Sequence, residues 1–486
     1  MNLFFRPIVL SSLIRIGRIG GLLLTMMLIT SVLIAQDEVD QDHKTWLANM
    51  QAINSKIRDP FEIDQRAVKA AGIQKLTGKH IVLYTDVREP KIDELVSVFD
   101  KSVSQWCEIF QVKPKQTKHW KMRVFLIANP NDTERFKKIG LLPDHIPEFL
   151  AGYQRGPNIW LYLQPGDYYT RHLLLHEGTH AMMEWFLNGS GPPWYSEGMA
   201  ELVGVHQWKD ETIKLNYRLK SRDEAPYWGR VKKIKDNIKD GQFMTLEEVL
   251  TIQPQSFLKV RAYAWSWAAC DFFNNHSKTK EFFPEIQKQV WREPRVFNRR
   301  LLSRLKPHWE ELERDWALFV NEIDYGYAVE RGQISSAAAS SDDPKNPSPS
   351  FTIQSDRSWQ LTNIELKKGD RIKISGLGEF KVGEFKAGQT DADDSGQTLA
   401  LPCQSNGITI EYYRGRPLGM LQAAVLAPDG RTARDQIAGL LKPTPIGLSA
   451  EITAPSDGLL CLRINESPAK LEDNQGALEV HVEKLE

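Results

Sequence analysis

The stretch Leu173-Leu174-Leu175-His176-Glu177-Gly178-Thr179-His180-Ala181-Met182-Met183 sets two histidines four residues apart, with a glutamate beside the first. Its surroundings read as helix, and on a helix positions i and i+4 share one face about one turn apart. His176 and His180 can then offer ring nitrogens to one tetrahedral metal ion, for which zinc is the ordinary choice. Glu177 falls beside that ion, where its carboxylate can take a proton from an attacking water. With 11 histidines in 486 residues, about 0.02 accidental matches are expected, so composition does not explain the pattern.

Catalytic zinc takes three protein ligands and leaves a fourth position open. After the turn Asn188-Gly189-Ser190-Gly191-Pro192-Pro193 comes Trp194-Tyr195-Ser196-Glu197-Gly198-Met199-Ala200-Glu201, which reads as a second helix with Ser196 at its N-cap. Packed antiparallel on the first helix, it brings Glu197 back over the histidine pair. Glu201, one turn further on, shares that face and can accept the outer N–H of a ligand histidine, fixing its tautomer. His172, one turn before His176, is read as a surface residue or a support for a ligand, because the three protein positions are already filled. Trp194 and Tyr195 either line a substrate pocket or pack the turn against the first helix, the commoner job for such aromatics.

His-Glu-x-x-His followed by Trp-x-x-Glu-Gly-x-Ala-Glu resembles the gluzincin metallopeptidases, the thermolysin and zinc-aminopeptidase group, and is most similar to the peptidase MA-like proteins of bacteria. The resemblance covers roughly residues 79–325. It implies an α+β zincin-type metallopeptidase domain with zinc held by His176, His180 and Glu197, Glu177 as general base and Glu201 holding a ligand histidine. It also implies a peptide or protein substrate bound by strand addition along the strand pair Gly152 to Tyr162. The Gly-x-Met-Glu-Asn exopeptidase signature is absent and the ligand spacing is shorter than in the aminopeptidases, so exopeptidase action is not implied. Hydrolysis needs a donor for the developing oxyanion. Tyr263, in Arg261-Ala262-Tyr263-Ala264-Trp265-Ser266-Trp267, matches the Tyr-x-x-Ser helix of peptidase MA-like chains; His206 is its rival, and core packing is the alternative role for Tyr263.

These residues sit in a long chain with 62 Lys+Arg against 62 Asp+Glu. The balance lacks the basic excess that phosphate binding requires, so nucleic acid is not an expected partner. Arg6, Arg15 and Arg18 precede an apolar run from Ile19 to Ile34 that ends at Ala35 and turns acidic. That order marks residues 1–35 as a secretory signal peptide, or, uncleaved, a membrane anchor, with the rest of the chain exported to the periplasm, cell surface or medium. Outside the cytoplasm disulfides persist, making Cys403 with Cys461 a candidate pair and Cys107 with Cys270 a weaker one. A helical leader is expected over 36–78, then the metallopeptidase-like domain over 79–332. Residues 333–350 hold 12 Ser, Ala or Pro among 18, a composition that reads as a flexible linker.

Over 351–486 short alternating runs separated by Gly, Pro and Asp turns predict an all-β sandwich, so the chain is read as multidomain. Ser358-Trp359-Gln360-Leu361-Thr362 with Leu366 to Arg371, and Gly458 to Glu466 with Asp473-Asn474-Gln475-Gly476, resemble the galactophilic PA-IL-like lectin sandwich. The resemblance implies calcium at Asn465, Asp473 and Asn474, holding sugar hydroxyls of a glycan. A plain accessory sandwich, with Asp473-Asn474 a turn, stands beside it. For the whole chain, the rivals to a zinc metallopeptidase are a non-catalytic adhesion or cell-envelope protein with a structural zinc, and a zinc hydrolase of some other bond. Glu177 favours an enzyme, since a structural ion needs no proton-accepting carboxylate.

Overall fold

The computed structural model of the chain describes residues 61–89, 91–341, 349–386 and 398–485. The expected signal segment 1–35 and the first part of the leader lie outside the described residues. Strands β1 (Gln74–Thr77), β2 (Ile81–Thr85), β3 (Met122–Ile127), β4 (Gly152–Arg155) and β5 (Asn158–Tyr162) form one sheet in the order β1-β2-β3-β5-β4. The three central strands are parallel, and β1 and β4 are antiparallel edges. Alternation along each strand decides its faces. Ile81, Leu83, Val124, Leu126, Ile159 and Leu161 enter the main core, whereas Tyr84, Phe125, Ile127 and Trp160 join an aromatic cluster on the other face. The leader is not helical to its end: a short helix stops at Ala70, and Gly72, at φ +70°, turns the chain back into β1.

Six helices matter for the site: α1 (Glu94–Ile109), α2 (Asp167–Phe186), α3 (Pro193–Gly204), α4 (Arg230–Lys239), α5 (Val260–Asn275) and α6 (Trp309–Glu322). In α1 the buried Leu95, Val98, Phe99, Val103 and Trp106 repeat at helical spacing and cover the sheet. Helix α2 is buried almost all round, because the sheet and α1 lie on one side of it and α3 on the other. Helix α3 starts at Pro193, whose missing N–H is no loss in a first turn. At Gly198 a Cβ would stand 2.5 Å from the Ser266 carbonyl oxygen and 2.6 Å from Cys270 Sγ, so only glycine lets α3 lie this close to α5.

The C-terminal part holds a five-stranded and a six-stranded sheet around one apolar core, the sixth strand being Thr444–Pro445, which pairs with the Arg416–Leu426 strand. One orders Ser449–Thr453, Arg371–Leu377, Ala477–Leu485, Ser350–Gln354 and Ala338–Ser341; the other orders Asn406–Tyr413, Arg416–Leu426, Gly458–Ile464, Gln360–Leu366 and Ser335–Ser336. The chain is thus mixed α/β with several sheets, as a multidomain α+β protein should be.

Two expectations are corrected here. Ser335–Ser336 and Ala338–Ser341, inside the stretch read as a linker, pair as edge strands; small residues suffice at an edge. The sandwich is also seated on α6: Ala317 and Leu318 pack with Trp359, Leu426 and Cys461, and Glu322 takes ion pairs from Arg463 at 3.1 Å and Arg414 at 2.9 Å. All four cysteines are free and buried. Cys403 packs inside the sandwich core while Cys461 faces α6, so the pairing suggested by their shared region does not form.

Candidate metal centre

Helix α2 delivers His176 and His180 one turn apart, and the tight turn into α3 returns Glu197 over them. His176 Nε2 lies 3.2 Å from His180 Nε2, and Glu197 Oε2 lies 3.2 Å and 3.4 Å from these two nitrogens. Ligands about 2.0–2.1 Å from a tetrahedral centre are separated by about 3.3–3.4 Å. The observed triangle has that size and two-nitrogen, one-oxygen chemistry, so the residues fit a zinc ion. Burial alone would raise the Glu197 carboxyl, but the two imidazoles outweigh it and lower it to about 2. Among the described residues, His172, His176 and Glu201 make a second convergent group, directly behind the first.

Glu177 is buried beside this triangle, and burial pushes its carboxyl up to about 7, with His180 pulling down and Glu197 pushing up. Strand β4 confines it. The Gln154 backbone N–H donates to its carboxylate, and a Cβ on Gly152 would stand 2.6 Å from Glu177 Oε1. The free edge of the sheet therefore runs past the carboxylate, and the glycine where they meet leaves Glu177 its place, which a larger residue would make it give up. Tyr263 comes to the same place from α5, its ring centroid 6.1 Å from that of His176. Burial first, then Glu197, Glu201 and Glu177, raise its hydroxyl, so it stays protonated.

The residues behind the ligands are only partly those expected. Glu201 is fully buried, but its Oε1 is 3.6 Å from His176 Nδ1, beyond a hydrogen bond. It is held instead by Arg230, which donates from Nε to Oε2 at 2.9 Å and from Nη2 to Oε1 at 2.7 Å, and by Trp228 Nε1 at 3.2 Å. His172 is wholly buried, not at the surface, with Nε2 3.3 Å from Glu201 Oε2. Ser196 is not an N-cap, since α3 has already begun at Pro193; its Oγ lies 3.2 Å from His180 Nδ1. Were a metal held at His180 Nε2, Nδ1 would carry the proton and donate to Ser196. Sequence order signalled neither this role nor Arg230 and Trp228, which sit 29 and 27 residues from Glu201.

Other candidates fall elsewhere. His206 is a buried neutral ring, stacked on Tyr168 at 4.5 Å with Nδ1 bonded to the Gly204 carbonyl, and burial drops it to about 3. Trp194 and Tyr195 are buried packing residues, Trp194 donating to Asn298 at 3.0 Å. In the sandwich, Asn465 is fully buried, accepts from Gln422 at 2.9 Å and donates to the carbonyls of Tyr413, Arg416 and Pro417. Asn474 accepts from the Gly383 N–H and donates to Ser355 O and Glu466 Oε2. Both amides serve the fold, and a calcium ion would have to displace those bonds.

No family model matches the chain, and no curated protein matches it. Among solved structures it is similar to one described as "EclA N-terminal domain; PllA-like lectin", at 19% identity over 28% of this chain and 95% of that one, with a TM-score of 0.19. Among the described residues no helix is long and apolar enough to cross a membrane.

Proposed function

We propose that the chain is an exported zinc-dependent metallopeptidase in which His176, His180 and Glu197 hold the metal and Glu177 is the general base. The observation that carries this reading is the convergence of those three donors at 3.2–3.4 Å with a buried, proton-accepting carboxylate against them. Zinc, when bound, supplies a water acidified toward neutrality and an electrophile for a carbonyl oxygen. Glu177, buried against the triangle and held by the Gln154 N–H, accepts the proton of the attacking water and returns it to the leaving amine. Tyr263, kept protonated, donates its hydroxyl to the developing oxyanion. An extended peptide pairs with the β4 edge, which sets its scissile bond beside Glu177. Ser196 holds His180 in the tautomer that turns Nε2 to the ligand triangle.

The sandwich is proposed as an accessory module seated on α6. A calcium-dependent sugar site at Asn465, Asp473 and Asn474 is left out of the proposal, because Asn465 and Asn474 already bond within the protein. The test is hydrolysis of casein or a peptide library by the zinc-loaded chain beside Glu177→Gln. Cleavage by the first alone supports the reading; equal cleavage by both refutes it.

A further inference from the structure

The segment that leads into α5 touches the metal centre on one side and borders an open recess on the other. Phe257, in the short helix Pro254–Leu258, meets the Tyr263 ring edge-on at 5.1 Å. Its neighbours Gln255, Ser256 and Lys259 turn instead to a recess of about 380 Å³. Met244, Ile252 and Ala262 give that recess an apolar floor, and Arg261 joins Lys259 on its rim. On a helix, positions four apart share a face, so Lys259 stands about one turn before Tyr263 on the same side. The recess therefore opens beside the place where Tyr263 meets the substrate carbonyl in the proposed reaction.

Among the described residues neither Lys259 nor Arg261 has an ion pair, and no carboxylate lines the recess. Arg261 is steadied from Nη2 by the Gln242 carbonyl at 3.1 Å, which fixes the guanidinium without neutralising it. No side chain caps the start of α5, so the positive end of its dipole adds to the two cations. A cation finds no partner there, and a wholly apolar group leaves both charges unused. We infer that the recess is a subsite for a peptide carboxylate, an inference that rests on the metallopeptidase reading. The carboxylate, from an Asp or Glu side chain or from the peptide's own C-terminus, pairs with Lys259 and Arg261 while the carbons beside it cover Met244, Ile252 and Ala262. At about 3.3 Å per extended residue, one helical turn plus the reach of a side chain sets that carboxylate roughly two or three residues from the scissile bond.

The test incubates the zinc-loaded full chain with a random peptide library, made once with free and once with amidated C-termini, and maps the products by mass spectrometry. A side-chain source shows as Asp or Glu enriched about tenfold over Asn and Gln at one fixed position near the cut, and a terminal source as a similar preference for free over amidated peptides. Lys259→Gln, an exposed change that leaves the fold intact, and Arg261→Gln should each raise KM for the favoured peptides about tenfold, and Lys259→Arg should keep the preference. Cleavage with neither preference, or a preference that survives in both Lys259→Gln and Arg261→Gln, overturns the inference and leaves the peptidase reading standing. No cleavage of any peptide overturns that reading and the inference with it.

Discussion

Replacing Arg230 by methionine removes a guanidinium that donates to both oxygens of Glu201, at 2.9 and 2.7 Å. Both side chains are buried, at 6% and 1% exposure, so the carboxylate left behind would keep only Trp228 Nε1 at 3.2 Å and His172 Nε2 at 3.3 Å, with no permanent charge against it. Breaking a buried pair from one side costs about 3–5 kcal/mol, because the surviving charge is uncompensated. The double variant Arg230→Met with Glu201→Met leaves no orphan charge and should cost less than the two singles together, by about 2 kcal/mol or more. Urea unfolding of the four proteins gives this coupling directly. Burial would raise the Glu201 carboxyl, but Arg230 and His172 outweigh it and hold it well below its ordinary value. The pair therefore stabilises at neutral pH, and its contribution is lost as pH falls through and below the carboxylate range. A single variant costing under about 1 kcal/mol, the worth of an exposed pair, would refute this reasoning, as would simple additivity.

Gly152→Ala should leave zinc content unchanged and lower turnover by about 100-fold, since its methyl would displace the Glu177 carboxylate; metal analysis beside peptidase assay checks both. Ser196→Ala should weaken zinc binding about 10- to 100-fold in a chelator competition, because His180 loses its tautomer partner. Asp271 has its carboxyl raised from 3.8 to about 6, so its contribution to stability is complete below pH 3.8 and lost as pH rises through 6. That amounts to about 3 kcal/mol, and melting curves of Asp271→Asn should show a gain over wild type at pH 8 that vanishes at pH 4. A thiol reagent should find four cysteines in urea and none in the native protein, and reductant should leave the melting temperature unchanged.

The convergence of the candidate metal-centre residues was legible because helix periodicity carries it: His176, Glu177 and His180 need only one helix, and the Gly/Pro turn sends the next helix back over them. The strand pair around Gly156-Pro157 was equally readable, since alternation and turn chemistry are local. What sequence order does not carry is long-range pairing. Arg230 and Trp228 reach Glu201 only because α4 and the segment before it pack behind α3. Ser196 was misassigned because a serine near a helix start looks like a cap, whereas Pro193 had already opened the helix. The Ser/Ala stretch misled for a related reason: edge strands need backbone pairing more than large side chains, so composition there says little. Cysteine pairing failed because proximity in sequence does not say which side of a strand faces which core.

The most direct test of the central claim is the zinc content and caseinolytic activity of the purified chain from Gln36 onward, measured together for wild type, Glu177→Gln and Glu197→Ala. The reading predicts one zinc per chain in wild type and Glu177→Gln, cleavage by wild type alone, and loss of metal in Glu197→Ala. Full zinc in Glu197→Ala, or undiminished cleavage by Glu177→Gln, would contradict it.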